Sequence, residues 1–243
     1  RPLVLGDRTF FEAMDPQSNR QLWASALPDL EPRQLTFPPA RAGDSPVFAA
    51  PEVARLSTGW LFAATDATHG FELWRSGGTP ETTEMVIDLL NDRPGLLLAG
   101  VESDGGELFF SASAENRELY EVIATDATAA GTSVLSEAPS LRCGLFSWNS
   151  APALYALPTA LLIEEDECDV NRILSWNRGS GELTTLFGGR EPPNAGYAAV
   201  RLRHRAEALV ERVDESSGET QLWRTDGTWD GTRYLRPMPE PLQ

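Results

Sequence analysis

The sequence contains no lysine, because all 20 of its basic residues are arginine. This absence excludes a catalytic or Schiff-base lysine. Histidine is nearly absent too, since the 243 residues include only His69 and His204. A nucleophile elbow of the Gly-x-Ser-x-Gly type, a His-Glu-x-x-His pair and a phosphate-binding loop do not occur in the sequence. We therefore predict that the protein is not an enzyme.

Positive charge and long apolar runs are also scarce. The formal net charge is −16 and the pI is about 4.5, which argues against binding to nucleic acid or to anionic membrane surfaces. The densest basic stretch, 201–205, alternates like a strand, and we interpret it as a solvated face or as a partner of acidic groups. No apolar run is long enough for a membrane-spanning helix. We expect no membrane span and no nucleic-acid partner.

What the sequence does contain is a repeat. Short apolar runs begin at five similar points, and successive starts lie 51, 48, 52 and 48 residues apart. The starts are Phe10, Leu61, Phe109, Leu161 and Leu209. Repeats of roughly 40–50 residues are typical of propeller blades and of helical arrays. A unit of this size cannot bury its apolar face alone, so the copies must pack on one another.

The pattern within each unit favours strands. Short runs rich in Val, Phe, Trp and Thr are separated by Gly, Pro and Asp, and helical periodicity is hard to find. We therefore predict an all-β fold, a five-bladed β-propeller with four antiparallel strands per blade, as a single domain. The expected blades span about 1–45, 46–92, 93–140, 141–190 and 191–243. Because no strand is exchanged between the first and last units, we expect side-chain packing to close the ring.

One motif carries a family resemblance. Unit five reads Gln221-Leu222-Trp223-Arg224-Thr225-Asp226-Gly227-Thr228, followed by Gly231-Thr232. Unit two keeps Glu72-Leu73-Trp74, and unit three keeps Glu118-Leu119-Tyr120 and, after two extra residues, Thr125-Asp126. These runs resemble the bacterial ELWxxDGT repeat family. The resemblance implies a propeller-like fold and an exported bacterial protein.

The aromatic residue of the motif recurs once per unit. A large side chain at one place of each repeat is typical of a packing wedge between neighbouring sheets. A ring of carbohydrate-stacking platforms is the alternative. The residues are Trp23, Trp74, Tyr120, Trp176 and Trp223.

Acidic residues cluster in one short segment of unit four. Their charge suits calcium, but their spacing is not that of an EF-hand loop, and a solvated acidic loop is the simpler interpretation. We expect no cofactor, and we keep calcium as the alternative for this segment. His69, with an Asp66-x-x-His69-x-x-Glu72 spacing, is similarly more typical of a solvated turn than of a metal ligand. The weak calcium candidates are Glu164, Glu165, Asp166, Glu167 and Asp169.

Two alternative functions use residues outside the repeat motif. A glycosidase-like enzyme would need a pair of carboxylates near the centre of the ring, and the candidates there are Glu52, Glu102 and Asp104. A lectin-like protein would use exposed aromatic residues such as Trp148 and Trp229. The interpretation we favour is a non-enzymatic, exported module of the bacterial cell envelope that binds another envelope or surface protein, since variable turns suit one asymmetric patch.

The only two cysteines, Cys143 and Cys168, fall in the same unit. Cys143 is placed at the start of that unit's first strand and Cys168 just after the end of its second. In an antiparallel pair these two ends lie side by side, so the cysteines can form a disulfide. A disulfide implies an extracytoplasmic location, in the periplasm, on the cell surface or in the medium.

We predict that peptide mass mapping of the exported protein will detect a Cys143–Cys168 bridged peptide that disappears on reduction. Closing a loop of 25 residues (168 − 143) stabilises the fold by about 3.5 kcal/mol in the chain-entropy model. Alkylation of the native protein before reduction is the control. Two freely alkylated thiols in the exported protein would contradict the bridge.

Overall fold

The computed structural model of the chain describes thirteen segments. They are residues 3–16, 20–28, 30–36, 54–55, 59–66, 69–89, 96–104, 106–114, 119–139, 152–167, 170–188, 197–214 and 216–238.

The described residues form twenty strands, grouped as five sheets in chain order. Sheet one comprises β1 (Leu3–Leu5), β2 (Arg8–Met14), β3 (Arg20–Ala26) and β4 (Arg33–Gln34). Sheet two comprises β5 (Ala54–Arg55), β6 (Trp60–Asp66), β7 (Gly70–Ser76) and β8 (Thr83–Ile87). Sheet three comprises β9 (Leu96–Asp104), β10 (Glu107–Ala114), β11 (Leu119–Thr125) and β12 (Ser133–Pro139).

The last two sheets follow the same plan. Sheet four comprises β13 (Ala153–Ala156), β14 (Ala160–Glu167), β15 (Val170–Asn177) and β16 (Leu183–Phe187). Sheet five comprises β17 (Ala198–His204), β18 (Glu207–Val213), β19 (Thr220–Thr225) and β20 (Arg233–Pro237). In every sheet consecutive strands are antiparallel neighbours, and the single helical element described is a 3-10 turn at Pro80–Thr82. No described helix is long and apolar enough to cross a membrane.

The predicted five-bladed ring is wrong. The structure has five separate antiparallel sheets, and none of them is closed. Among the described residues, hydrophobic clusters join sheet one to two, two to three, three to four and four to five, and none of these clusters joins five to one. A repeat specifies the unit and its contact with its neighbour. Ring closure depends in addition on the rotation between successive sheets, which the period does not encode.

Each of the four contacts buries apolar residues from two neighbouring sheets. The second strand of each sheet supplies side chains to both sides, because successive residues of a strand point to opposite faces. In β10, Phe110 packs in the cluster with sheet two while Phe109 packs in the cluster with sheet four. Both rings are fully buried, so sheet three is the middle layer of two apolar contacts.

The motif tryptophans point toward the preceding sheet. Trp74 packs on the cluster that sheet two shares with sheet one, and Trp176 packs edge-on against Phe109 of sheet three. Trp223 packs edge-on against Phe187 of sheet four, with 5.6 Å between ring centroids. Each of these three tryptophans lies between two sheets, as the packing interpretation expects.

The turn between the third and fourth strands is built alike in sheets two, three and five. A hydroxyl at its start bonds a hydroxyl at its end, with oxygen–oxygen distances of 2.7, 2.6 and 2.7 Å. The same first hydroxyl also accepts from the backbone N–H two residues later. The hydroxyl pairs are Ser76–Thr83, Thr125–Thr132 and Thr225–Thr232.

These turns dock on the preceding sheet, and this contact explains the motif. The carbonyl of Gly77 accepts from the Arg8 guanidinium of sheet one. The carbonyl of Ala127 accepts from Arg75 of sheet two at 2.9 Å, and that of Gly227 accepts from the Ser175 hydroxyl of sheet four at 2.6 Å. The turn of the motif therefore holds each of these sheets on the preceding sheet, and we call it the clasp turn.

Sheet four reaches sheet three by another route. Its turn lacks the Asp-Gly-Thr sequence, but the Arg178 guanidinium forms an ion pair with Glu107 at 2.7 Å and lies over the Phe109 ring at 5.3 Å. The turn itself is held by the Asn177 side chain, which accepts from two backbone N–H groups. In sheet four, which lacks the motif, Arg178 thus makes the contact with the preceding sheet that the clasp turn makes in sheets two, three and five.

We predict that Gly227→Ala destabilises the protein by about 3 kcal/mol, because a Cβ there combines a strained backbone with overpacking. Gly227 has φ +91°, and its Cβ would lie 2.5 Å from the Cβ of Ala160. The matched control is Gly218→Ala, at φ +69° with no atom within 4 Å of the added carbon. Strain alone should cost about 1 kcal/mol there. Equal shifts of the two variants in urea unfolding would contradict the docking argument.

Candidate functional site

Charged side chains collect where the first strands of sheets three, four and five approach one another. We call this group the first-strand cluster, and it comprises Glu102, Tyr155, Glu164, Arg201 and Arg203. Glu102 is on β9, Tyr155 on β13, and the two arginines are on β17. Glu164, on β14, is the one member from a second strand.

Arg203 links three sheets. Its Nη1 atom lies 2.5 Å from the Glu102 carboxylate of sheet three and donates to the Ala156 carbonyl of sheet four at 3.0 Å. Both charged side chains keep part of their surface in solvent, so water screens the pair. The arginine therefore positions the strands more than it stabilises them.

Glu164 accepts hydrogen bonds across another boundary. Its Oε2 atom accepts from the Tyr155 hydroxyl at 3.2 Å and from the backbone N–H of Val200 in sheet five at 3.0 Å. Partial burial raises the pKa of Tyr155 to about 12, and the negative charge of Glu164 acts in the same direction. Tyr155 is therefore a hydrogen-bond donor at neutral pH and is not suited to act as a general base.

Arg201 completes the cluster on the side of sheet five. Its Nε atom donates to the buried Glu211 carboxylate at 2.9 Å, and this hydrogen bond raises the pKa of the arginine. Burial of Glu211 is tolerated because the guanidinium supplies the opposite charge. The basic stretch of the sequence thus partners acidic groups, as one of its two interpretations proposed.

The chemistry available to these residues is that of ion pairs and hydrogen bonds. Glycoside hydrolysis requires one carboxylic acid with a raised pKa and one ionised carboxylate at a set separation. Glu102 is held by Arg203, and Glu164 is held by Tyr155 and a backbone N–H. Asp104 ends β9 opposite Glu107, and Glu52 lies outside the described residues. The described part of the site is an anchoring cluster.

Of the calcium candidates, the structure describes the side chains of Glu164 and Glu165. Four of them, residues 164–167, end strand β14 and do not form a loop. Because adjacent strand residues point to opposite faces, Glu164 and Glu165 do not converge. Glu165 is buried and pairs with Arg172 of β15. Among the described residues, no group of three or more His, Cys, Asp or Glu side chains surrounds a common point.

The remaining predicted residues fall in several places. His69 lies in the turn before β7, and His204 is the exposed last residue of β17. Trp23 is half-buried on sheet one, and its indole N–H donates to the Ala13 carbonyl at 3.2 Å. Cys143, Trp148, Cys168 and Asp169 lie outside the described residues, so the disulfide stays a prediction. The first described strand of sheet four begins at Ala153 and not at Cys143, so the side-by-side placement of strand ends no longer supports the pairing.

One packing position was missed in the sequence. Tyr120 belongs to β11, but Ile123 lies two residues before the turn hydroxyl of Thr125, as Trp74 and Trp223 do in their sheets. Ile123 is fully buried in the cluster between sheets two and three. Counting backwards from Thr125 would have found it. Arg178 was also missed, because no pattern marks an arginine that acts through a distant sheet.

No family model matches the sequence. No curated protein matches it either.

Solved structures do resemble the chain. The dipeptidyl peptidase 4 of Porphyromonas gingivalis matches with a TM-score of 0.52 and 12% identity, over 95% of this chain and 31% of that one. A puromycin-hydrolyzing peptidase of Mycobacterium tuberculosis matches with a TM-score of 0.47 and 14% identity, over 98% and 38%. TolB from Acinetobacter baumannii matches with a TM-score of 0.40 and 12% identity, over 96% and 54%.

These likenesses concern the fold alone. The chain spans from about a third to about half of the length of the structures it matches. The matching parts of the peptidases are β-propeller domains, which do not carry the catalytic residues. The chain therefore has a β-propeller-like, all-β arrangement.

We predict that Tyr155 ionises near pH 12, well above the ordinary tyrosine value of about 10. The folded pKa lies above the unfolded one, so this stabilisation is complete below pH 10 and disappears as the pH rises toward 12. The ultraviolet absorbance of tyrosinate measures the step. Tyr155→Phe should remove it, Glu164→Gln should move it to lower pH, and the control Tyr197→Phe should leave it in place. A late step that survives in Tyr155→Phe would contradict the assignment.

Proposed function

We propose that this chain is a non-enzymatic, exported module of the bacterial cell envelope, and that its role is to bind another envelope or surface protein. The β-propeller-like arrangement is the scaffold for this role. The proposal rests chiefly on one side chain, Trp229, which the repeat does not require.

Trp229 stands at the tip of the clasp turn in sheet five. The matching turns of sheets two and three have the same hydroxyl network, and they carry Pro80 and Ala129 at this point. Its side chain is 54% exposed, whereas the hydroxyls of Thr225 and Thr232 hold the turn beneath it. Because proline and alanine stand at this point in the other two turns, the turn itself does not require a tryptophan.

Exposed tryptophan is costly in water and is enriched at the centres of protein interfaces. The strand that follows, β20, exposes all five of its residues, and these include Tyr234 and Leu235. Aromatic and aliphatic groups near one edge favour a protein partner. Stacking on a sugar ring is the alternative for the tryptophan alone.

The non-enzymatic part of the proposal is supported by how the described charged residues are used. In the first-strand cluster, Glu102 and Glu164 are held by hydrogen bonds and ion pairs between sheets. Such groups position strands, and a hydrolase would need one of them protonated and facing a substrate. The clasp turns are likewise occupied with contacts to the preceding sheet.

The exported location rests on the sequence. The resemblance to the ELWxxDGT family implies export, and the proposed Cys143–Cys168 bridge would require an oxidising compartment. The absence of lysine and the acidic charge are compatible with any compartment, so they do not bear on this part.

We predict that a photo-crosslinking amino acid in place of Trp229 captures one or a few discrete proteins in intact cells of the source bacterium. The matched control is the same group in place of Ala129, which occupies the same point of the same turn in sheet three. Immunoblotting after irradiation measures the adducts. The expected result is a discrete adduct from position 229 and none from position 129.

The outcome is decided by competition. Excess purified wild-type protein should reduce the adduct, and the Trp229→Ala protein should compete at least about tenfold less well, as for an interface hot spot. Equal competition by the two proteins, or no protein adduct at all, would overturn the proposal. Binding to a glycan array that is lost in Trp229→Ala would instead favour the carbohydrate alternative.

A further inference from the structure

The outer two strands of sheet five place two arginines side by side. Arg224 of β19 and Arg233 of β20 are direct partners in the antiparallel register. Facing residues of such strands have Cβ atoms about 5 Å apart, and like charges in this position are destabilising. Sheet five therefore keeps two positive charges together in a protein whose net charge is −16.

The fold does not require an arginine at position 224. Arg224 directly follows the tryptophan of its sheet, and the corresponding residue is alanine in two other sheets. Alanine leaves no charge at this point, and these sheets form the same antiparallel pairing without it. The alanines and their partners across the strands are Ala24–Arg33 in sheet one and Ala124–Ser133 in sheet three.

Sheet two shows what an arginine in this place binds. Arg75 follows the tryptophan of sheet two as Arg224 follows that of sheet five, and its partner across the strands is Glu84. The Nε and Nη2 atoms of Arg75 both donate to the Glu84 carboxylate, at 2.8 and 2.5 Å. In sheet five Arg233 stands in the place of Glu84, so the facing strand supplies no carboxylate to Arg224.

The guanidinium of Arg224 has donors that the described residues do not use. Its Nε atom is shielded from solvent and has no hydrogen-bond partner within the described segments. Its Nη1 atom lies 3.6 Å from Glu207, which is beyond hydrogen-bond distance, and both side chains of this ion pair are exposed. Water therefore screens the pair. The Arg224 side chain is 41% exposed, as is that of Arg75, so a carboxylate can reach it from solvent.

Two further features of β20 add positive charge at this edge. Arg233 is exposed and takes part in no ion pair of the described residues. Arg236 is exposed too and pairs with Leu222, two residues before Arg224, so both arginines lie on the same side of the sheet. Three neighbouring positive charges attract an anion even to an acidic protein.

We propose that Arg224 and Arg233 form a carboxylate-binding site, and that its ligand is an aspartate or glutamate side chain of the partner protein. The carboxylate takes the place that Glu84 has in sheet two, and a bidentate arginine–carboxylate pair is among the stronger hydrogen-bonded contacts. The two arginines form the last registered pair before the turn that carries Trp229. The source of the ligand rests on the proposed function, whereas the carboxylate chemistry rests on the arginines alone.

The site is tested by nuclear magnetic resonance with acetate as the probe and isotopically labelled arginine in the protein. The Nε–H signal of Arg224, identified by its loss in Arg224→Lys, should shift saturably as acetate replaces chloride at constant ionic strength. Arg233→Glu should abolish the shift, because its carboxylate fills the site as Glu84 does in sheet two. The matched control is Arg33→Glu, an equal change of charge opposite Ala24, which should leave the shift in place. No saturable shift, an equal shift in Arg233→Glu, or a shift with phosphate but not with acetate would overturn the proposal.

The source of the carboxylate is tested by competition for the adduct formed at position 229. Purified Arg233→Glu protein should compete at least about tenfold less well than the wild-type protein, because a repulsion replaces an arginine–carboxylate contact. Arg33→Glu should compete as well as the wild type, and circular dichroism verifies that both variants are folded. Equal competition by Arg233→Glu would overturn the assignment to the partner and leave the role of Trp229 intact. If position 229 captures no protein, the proposed function and the partner's carboxylate fail together, and the acetate titration still decides the arginine site.

Discussion

The contact between neighbouring sheets is the constraint on which the rest of this structure depends. A single four-stranded sheet has two faces, and in the middle sheets both are apolar: Phe109 and Phe110 are adjacent residues buried on opposite sides of sheet three. No such sheet can remain in water alone. The turn clasp, the tryptophan wedge and the arginine that replaces the clasp in sheet four are three ways of holding one sheet on the next.

This constraint also determines what the polar residues do. The charged residues of the first-strand cluster lie between sheets three, four and five, where backbone and carboxylate groups from different sheets meet. Buried Glu211 is compatible with the fold because Arg201 neutralises it. Glutamate and arginine side chains, which in a cleft would suggest catalysis, here form hydrogen bonds between neighbouring sheets. The function that we propose therefore uses a side chain that these contacts leave exposed, and that side chain is Trp229.

Much of the fold could be predicted because the repeat pattern depends on residues that lie close together along the chain. Alternating apolar residues predicted the strands, and the Gly, Pro and Asp residues between the runs predicted the turns. The packing role of Ile123 could not be found by matching residue types to the motif, because in sheet three an aliphatic residue replaces the tryptophan. Glu164 and Glu165 lie in a strand, where adjacent side chains point apart. A cluster of acidic residues in a sequence does not show in which directions their side chains point.

By itself, the sequence determined the number of units, their antiparallel strands and the recurrence of an aromatic residue in each unit, because these depend on residues close together along the chain. The tertiary structure decided how the five sheets are placed, including the absence of a hydrophobic cluster between sheets five and one among the described residues, and the meeting of Arg203 with Glu102 across 101 residues. Those features depend on the rotation added at each sheet contact. Small differences in that rotation accumulate along the row, and no local pattern records their sum.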